Sequence, residues 1–242
     1  MDKRTLGQMV AVGLIASAIG IALGLWIDWF PVQASTQAKE IDTLWDVLII
    51  VSVPVFVLVT VVVGTSIIKF RQRPGEELKD GPPVHGNTRL EVIWTAIPAI
   101  IIVGLVVYAA QTLREIDKKS SSQMVVTVTG QQFAWSFEYP QPGGRPIRTN
   151  QLYVPKGQSI EFRVKSVDVI HDFWVPAFRV KLDAVPGITG TYRVTPTRTG
   201  DYDIVCAELC GLGHSTMRQT AHVLSKPRFD KWMAAQKKGQ AS

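Results

Sequence analysis

Cys206-Ala207-Glu208-Leu209-Cys210-Gly211-Leu212-Gly213-His214-Ser215-Thr216-Met217 is the stretch from which the rest of this 242-residue chain can be read. Within these twelve residues lie both cysteines of the protein, one of its four histidines and one of its five methionines. Thiolate, imidazole and thioether are soft ligands, and together they favour copper over hard cations such as magnesium or calcium. One thiolate can hold one copper; two thiolates at this spacing can bridge a pair. A second imidazole has to come from elsewhere, and His171, in Asp168-Val169-Ile170-His171-Asp172-Phe173, is the candidate. Other chemistries fit less of the pattern. A Cys206–Cys210 disulfide suits an extracytoplasmic chain but leaves His214 and Met217 without a role. Structural zinc sites use Cys and His but seldom Met. Haem attachment needs Cys-x-x-Cys-His, which is absent.

Upstream of this loop the chain reads as membrane. Hydrophobic residues make up 46% of the sequence and charged ones 19%, but the charges are unevenly placed. Thr5–Ile27, Val47–Ile68 and Val92–Leu113 carry none. A helix of about 22 residues is about 33 Å long, enough to cross a hydrocarbon core of about 30 Å. Pro54 and Pro98 do not argue against the second and third windows, because membrane helices tolerate proline. The first window has two readings. Lys3 and Arg4 before an apolar run, with Val32-Gln33-Ala34 as a cleavage site, suit a signal peptide; a 23-residue uncharged run suits a retained helix. Lys69, Arg71, Arg73, Lys79 and Arg89 place the loop 69–91 in the cytoplasm, and everything after Arg114 outside. That loop holds Pro74-Gly75 and Gly81-Pro82-Pro83 and is expected to be irregular. Residues 28–46 read as a link, with an amphipathic approach to the membrane from Asp42 to Asp46.

Beyond Asp117 the hydrophobic period changes to two. Val125–Thr129, Phe133–Tyr139, Gln151–Val154, Ser159–Ser166, Thr191–Val194 and Tyr202–Cys206 are predicted strands, separated by Gly/Pro turns. Short strands in this number imply a Greek-key β-sandwich or barrel of the cupredoxin kind, the architecture such a copper loop requires. The expected fold is therefore a membrane-anchored all-β chain. Residues 1–34 are a signal peptide or extra transmembrane helix, 42–117 a helical hairpin, and 118–225 an extracytoplasmic cupredoxin-like domain. Residues 226–242 form a short helix, with Phe229, Trp232 and Met233 at helical spacing, and a tail fraying from Lys237. His222, in the alternating run Thr220–Leu224, reads as an ordinary strand histidine, and His85 as a solvated loop residue. Nothing calls for a nucleic-acid partner; membrane lipid is the expected environment.

The loop C-x-E-x-C-x3-H-x2-M, with Thr88-Arg89-Leu90-Glu91-Val92-Ile93-Trp94 upstream, resembles subunit II of cytochrome c oxidase, from about Asp42 to the C-terminus. The resemblance implies a binuclear copper centre, CuA. In it Cys206 and Cys210 bridge both coppers, His171 and Met217 complete one, and His214 with the backbone carbonyl of Glu208 completes the other. It further implies a magnesium ion held by the Glu208 carboxylate at the contact with subunit I, near which Asp183 would also lie. Partners would be subunit I and subunit III, with cytochrome c as electron donor, in the plasma membrane of a bacterium. Glu91 would stand at the entrance of a proton path in subunit I; by position alone it is equally a helix-start carboxylate. A quinol-oxidase subunit lacks the copper ligands present here. A nitric oxide reductase subunit and a tethered copper-binding protein remain as rivals.

One segment departs from the family. Relatives carry G-x-Q-W-x-W, and the first indole is where electrons enter; this chain has Gly130-Gln131-Gln132-Phe133-Ala134-Trp135, so Phe133 takes that place while Trp135 remains. From Lys118 onward there are 17 Lys/Arg against 9 Asp/Glu. A domain this basic does not attract a basic cytochrome c at long range, unless Asp168 and Asp172 form a local acidic patch. The expected donor is acidic, near-neutral or membrane-tethered, docking through apolar contacts around Phe133.

Overall fold

The uncharged windows become three long helices: α1 (Lys3–Trp26), α2 (Thr36–Lys69) and α3 (Thr88–Ile116). In this computed structural model residues 2–72, 74, 75, 83 and 85–239 are described. Arg73 and Lys79 of the basic loop, Gly81 and Pro82 of its turn, and residues 240–242 of the tail lie outside them. Each helix is long and apolar enough to cross a membrane, with mean hydropathies of 2.2, 3.0 and 2.4. The described residues divide into two units, one drawn from Met1–Asp28 and Thr43–Gln111, the other from Trp29–Asp42 and Thr112–Ser242.

In the first unit α1 lies against α2 through glycine. A Cβ placed on Gly20 would come within 2.7 Å of Val53 Cγ1, and one on Gly24 within 2.7 Å of Ile49 Cγ2. Both partners are β-branched and hold one strongly preferred rotamer in a helix, so neither can swing aside. Gly20-x-x-x-Gly24 thus lets two backbones approach in the way that lipid favours, where dispersion rather than water exclusion drives association. At the far end of the pair, Lys69 Nζ donates to Asp2 Oδ2 (2.9 Å) and Thr5 Oγ1 (2.7 Å). Asp2 also caps α1 by accepting from Thr5 N at 2.7 Å.

The second unit is built from ten strands: β1 (Met124–Gln131), β2 (Ala134–Tyr139), β3 (Ile147–Thr149), β4 (Leu152–Pro155), β5 (Ile160–Ser166), β6 (His171–Val175), β7 (Val180–Ala184), β8 (Gly190–Val194), β9 (Gly200–Cys206) and β10 (Arg218–Leu224). They form two five-stranded sheets, ordered β3-β2-β1-β5-β8 and β4-β10-β9-β6-β7. The β1–β5 and β10–β4 pairs are parallel and the others antiparallel. Alternate residues of both sheets meet in one core, as the period of two requires. Phe173 of β6 stands edge-on to Trp135, Phe137 and Phe162 of the facing sheet, with centroids 5.4, 6.3 and 5.5 Å away. The six predicted strands are all present. The sequence reading did not delimit β3, β6 and β7, three to five residues long, in which turn residues and charges break the alternation. A last helix, α4 (Lys226–Gly239), presents Phe229, Trp232 and Met233 to the core, and Trp232 stacks on Tyr153 at 4.4 Å. Helix therefore continues through Lys237, where fraying was expected.

Residues 28–46 are no passive link. Ala34 N donates to Ala177 O (2.9 Å), and Ala34 O accepts from Thr197 N (2.8 Å). Ser35 Oγ donates to Phe178 O at 2.9 Å, and Thr36 N to Thr195 O at 3.0 Å. Ala34 and Ala38 are fully buried. Arg179, at the left-handed φ of 59°, grips Asp42 through two bonds of 2.8 Å and donates to the carbonyls of Pro31 and Pro176. Such a forked, charge-assisted pair is among the stronger polar contacts available to a protein. Trp29–Asp42 is therefore a strap belonging to the β unit.

Substituting Gly24→Leu tests the α1–α2 contact. Leucine facing lipid would be neutral, whereas leucine forced against Ile49 is overpacked and costs about 1–3 kcal/mol. The expected result is a lower melting midpoint for the detergent-solubilised chain; an unchanged midpoint would mean that α1 does not press on α2.

Candidate metal centre

Antiparallel pairing sets Phe173 of β6 opposite Cys206 at the end of β9. His171, two residues before Phe173, lies on the same face and is fully buried. Its Nδ1 stands 3.9 Å from Cys206 Sγ, although 35 residues separate the two in the chain. The segment after β9 then folds back on itself. Cys210 Sγ is 3.9 Å from Cys206 Sγ, and both are free thiols. A short turn of 3-10 helix, His214–Thr216, returns the chain so that His214 Nδ1 is 3.7 Å and Met217 Sδ 3.9 Å from Cys210 Sγ. The Glu208 carbonyl oxygen is 3.3 Å from Cys206 Sγ, while the Glu208 side chain is exposed.

These spacings, 3.3–3.9 Å, lie at or just beyond those of a shared metal shell. Two donors bound about 2.0–2.3 Å from one metal, at tetrahedral angles, stand about 3.3–3.8 Å apart. His171, Cys206 and Cys210 alone bring ligand atoms within 4.8 Å of one another. The donor types are soft or borderline, which suits copper. Burial first, and then the neighbouring Cys206 sulfur, pushes the Cys210 thiol up to about 11. Near neutral pH it therefore keeps its proton, and a metal has to displace it.

Asp168 orients His171. Its Oδ1 lies 2.8 Å from His171 Nε2, and its Oδ2 accepts from Gln132 N at 2.7 Å. Burial opposes ionisation, but the bonds from Gln132, His171, Val169 and Ser166 hold the carboxyl well below the usual carboxylate range. With its Nε2 bonded to a carboxylate, His171 offers Nδ1 to a metal. Of the pair Asp168 and Asp172, Asp168 lies in an exposed turn and stays ionised, whereas Asp172 is withdrawn from the surface. Asp168 is engaged as described and Asp172 is buried, raised to about 6 by that burial, with Lys181 pulling it down and Asp183 pushing it up.

Phe133 and Trp135 part company. Phe133, expected inside a strand, sits in the turn before β2 and is 39% exposed. Its ring lies on the metal loop: a Cβ on Gly213 would fall within 2.5 Å of it. Trp135 is buried, edge-on to His171 at 5.9 Å. Gly130 makes room for both, since a Cβ there would come within 3.0 Å of His171 and of Trp135. Glu91 is in the other unit, where its Oε1 accepts from Asn87 N at 3.2 Å at the start of α3. That is the work of a helix-start carboxylate. His222 is an ordinary strand residue bonded to Asp201 at 2.7 Å.

Fold and site together define a membrane-anchored cupredoxin-like protein with a buried His/Cys/Cys cluster that could hold a metal. Residues 21–112 match the family profile described as cytochrome c oxidase subunit II, transmembrane domain, and residues 145–223 that of its periplasmic domain. Cytochrome c oxidase subunit 2 of Thermostichus vulcanus is 33% identical, over 94% of this chain and 83% of the relative. That of Synechocystis is 27% identical, over 93% and 80%. Among solved structures, the periplasmic domain of subunit II of cytochrome oxidase from Bradyrhizobium japonicum shares 30% identity, covering 50% of this chain and 97% of that one, with a TM-score of 0.46. The chain belongs to the cytochrome c oxidase subunit II family. It is a subunit of an oxidoreductase complex, and its β unit is extracytoplasmic.

Replacing Asp168 by Asn leaves every proposed donor in place but weakens the hold on His171. The expected loss of metal affinity is about 10–100-fold, read by competition with a chelator; unchanged affinity would return Asp168 to the role of a turn residue.

Proposed function

We propose that this chain is the electron-accepting subunit of a cytochrome c oxidase and that its site holds the binuclear CuA centre. When bound, the copper pair takes electrons from cytochrome c and delivers them to the haem of subunit I, where oxygen is reduced to water with proton pumping. The observation that carries this reading is how the donors divide. Cys206 touches His171 Nδ1 and the Glu208 carbonyl; Cys210 touches Met217 Sδ and His214 Nδ1. If His171 and Met217 serve one copper, and His214 and Glu208 the other, each sulfur lies against one terminal donor of each set. That is the arrangement that two bridging thiolates need.

The rest of the chain supports the same work. Strand register fixes His171, Asp168 sets which nitrogen it offers, and a buried core keeps water from the sulfurs. A soft thioether at Met217 and hydrogen-bonded surroundings tune a copper site more than they hold it. The exposed Glu208 carboxylate is free to hold magnesium at the contact with subunit I. The N-terminal window is a third membrane helix in this reading, since α1 is docked on α2, with subunits I and III as partners in a bacterial plasma membrane. The test is metal stoichiometry. The full-length chain in detergent should bind two coppers, turn purple and give an electron-spin signal split by two equivalent nuclei, all lost in Cys206→Ser or Cys210→Ser. Saturation at one copper would overturn the binuclear assignment.

The donor is the second question. Phe133 is exposed beside the fully exposed Leu212, on a domain with excess positive charge where Asp168 is an exposed carboxylate and Asp172 is buried. Apolar contact, rather than attraction for a basic protein, should therefore dominate docking. Reduction of the centre by a strongly basic cytochrome c should be slow at low salt and faster as salt screens repulsion. A fast reaction that falls steeply with salt would rule this out.

A further inference from the structure

Gln132 is bonded both to the carboxylate that holds His171 and to the peptide of Cys210. Its backbone N–H donates to Asp168, which holds His171, at 2.7 Å. Its side-chain amide reaches across the turn, and Nε2 donates to the Cys210 carbonyl oxygen at 2.5 Å. The two bonds approach the site from opposite sides, 36 and 78 residues away in sequence. Nothing in the fold of β1 or β2 requires the second, because Gln132 lies in the turn between them.

The loop is shaped to receive this side chain. Gly211 has a φ of 132°, which side chains rarely adopt, and a Cβ there would come within 2.9 Å of Gln132 Nε2 and 3.2 Å of Phe133. Gly213 lies still closer to the Phe133 ring. Cys210 thus precedes a residue with unusual backbone freedom, inside a loop whose own bonds are few. His214 N and Met217 N close its second half through Gly211 O and His214 O. The contacts of the Cys210 sulfur are to other candidate ligand atoms at 3.7–3.9 Å, weak sulfur contacts beside the 2.5 Å bond to its carbonyl.

We infer that Gln132 is a positioning residue, whose amide fixes the Cys210 peptide and so aims its sulfur at the other donors before metal arrives. The inference rests on the metal-centre reading for its consequence but not for its geometry. It touches no proposed metal atom and acts only through Cys210 and Asp168. A buried carbonyl deprived of its donor turns towards another, and Gly211 supplies the hinge about which it would turn.

The test compares Gln132→Met, which keeps length without a donor, with Gln132→Asn, which keeps the amide one carbon short. Both leave the backbone bond to Asp168 intact. In the metal-free full-length chain in detergent, both variants should speed modification of the two buried thiols by about five-fold, the factor set by one lost hydrogen bond. Their melting midpoints should stay near that of the unmodified protein, which separates a local opening from failure to fold. Copper loading adds the second reading: the same number of ions bound, but a changed absorption spectrum and electron-spin splitting in both. Wild-type thiol reactivity in Gln132→Met would overturn the proposal, as would full restoration by Gln132→Asn, which would show that polarity alone suffices. Failure of the wild-type chain to take two coppers would strike the binuclear reading and leave the thiol comparison standing.

Discussion

Phe173 pairs with Cys206, and the metal centre depends on that pairing. Side chains alternate between faces, so His171 must follow wherever Phe173 goes. Phe173 goes inward because three aromatic rings of the opposite sheet are waiting for it. Slipping β6 by one residue would take Phe173 and His171 off the core face and put there Trp174 and Asp172, which on its own face lies 3.5 Å from Lys181. Burying a phenylalanine stabilises by about 1.5–3 kcal/mol, and burying an unpaired carboxylate costs several more. The hydrophobic effect thus specifies where a metal ligand stands, although it is blind to metals.

The remaining donors are held by other means. Cys206 ends a strand, Cys210 is tied through its carbonyl, and His214 and Met217 bracket a single turn of 3-10 helix. A loop with two glycines would wander if left alone. Here it is pressed against Phe133 and Gln132, and the bareness of Gly211 and Gly213 is what permits the contact. Without metal, two thiols share a pocket too dry to ionise Cys210 near neutral pH. Binding of a metal there would be coupled to the loss of protons from a site whose shape already exists.

Much of this was legible in the sequence. The loop pointed to copper because four soft side-chain donors, Cys206, Cys210, His214 and Met217, stand at fixed local spacings, and the membrane windows announced themselves by lacking charge. Alternation disclosed the longer strands. The register of β6 was not legible, since five residues containing an Asp and a Trp carry no period. Nor was the role of Gln132, because a glutamine in a turn looks like any polar turn residue. Gly20 and Gly24 were invisible for a different reason. In an apolar window a glycine differs little from an alanine, and only the β-branched side chains of the partner helix show that Ala would not fit. The strap escaped because several of its bonds are made by backbone atoms and its buried side chains, Ala34, Ser35 and Ala38, are small, which leaves no pattern.

The strap carries a consequence for biosynthesis. Residues 29–42 leave the ribosome before the apolar part of α2, and the strands that receive them follow α3. Between the two lie two stretches each long and apolar enough to cross a bilayer. Ala34 can meet Ala177 and Thr197 only when the chain has crossed an even number of times in between, since otherwise the two pieces would be stranded on opposite faces of the lipid. Completion of the β unit therefore depends on sidedness: a chain threaded the wrong way would leave the carbonyls of Ala177 and Phe178 without their strap donors and Arg179 without its carboxylate.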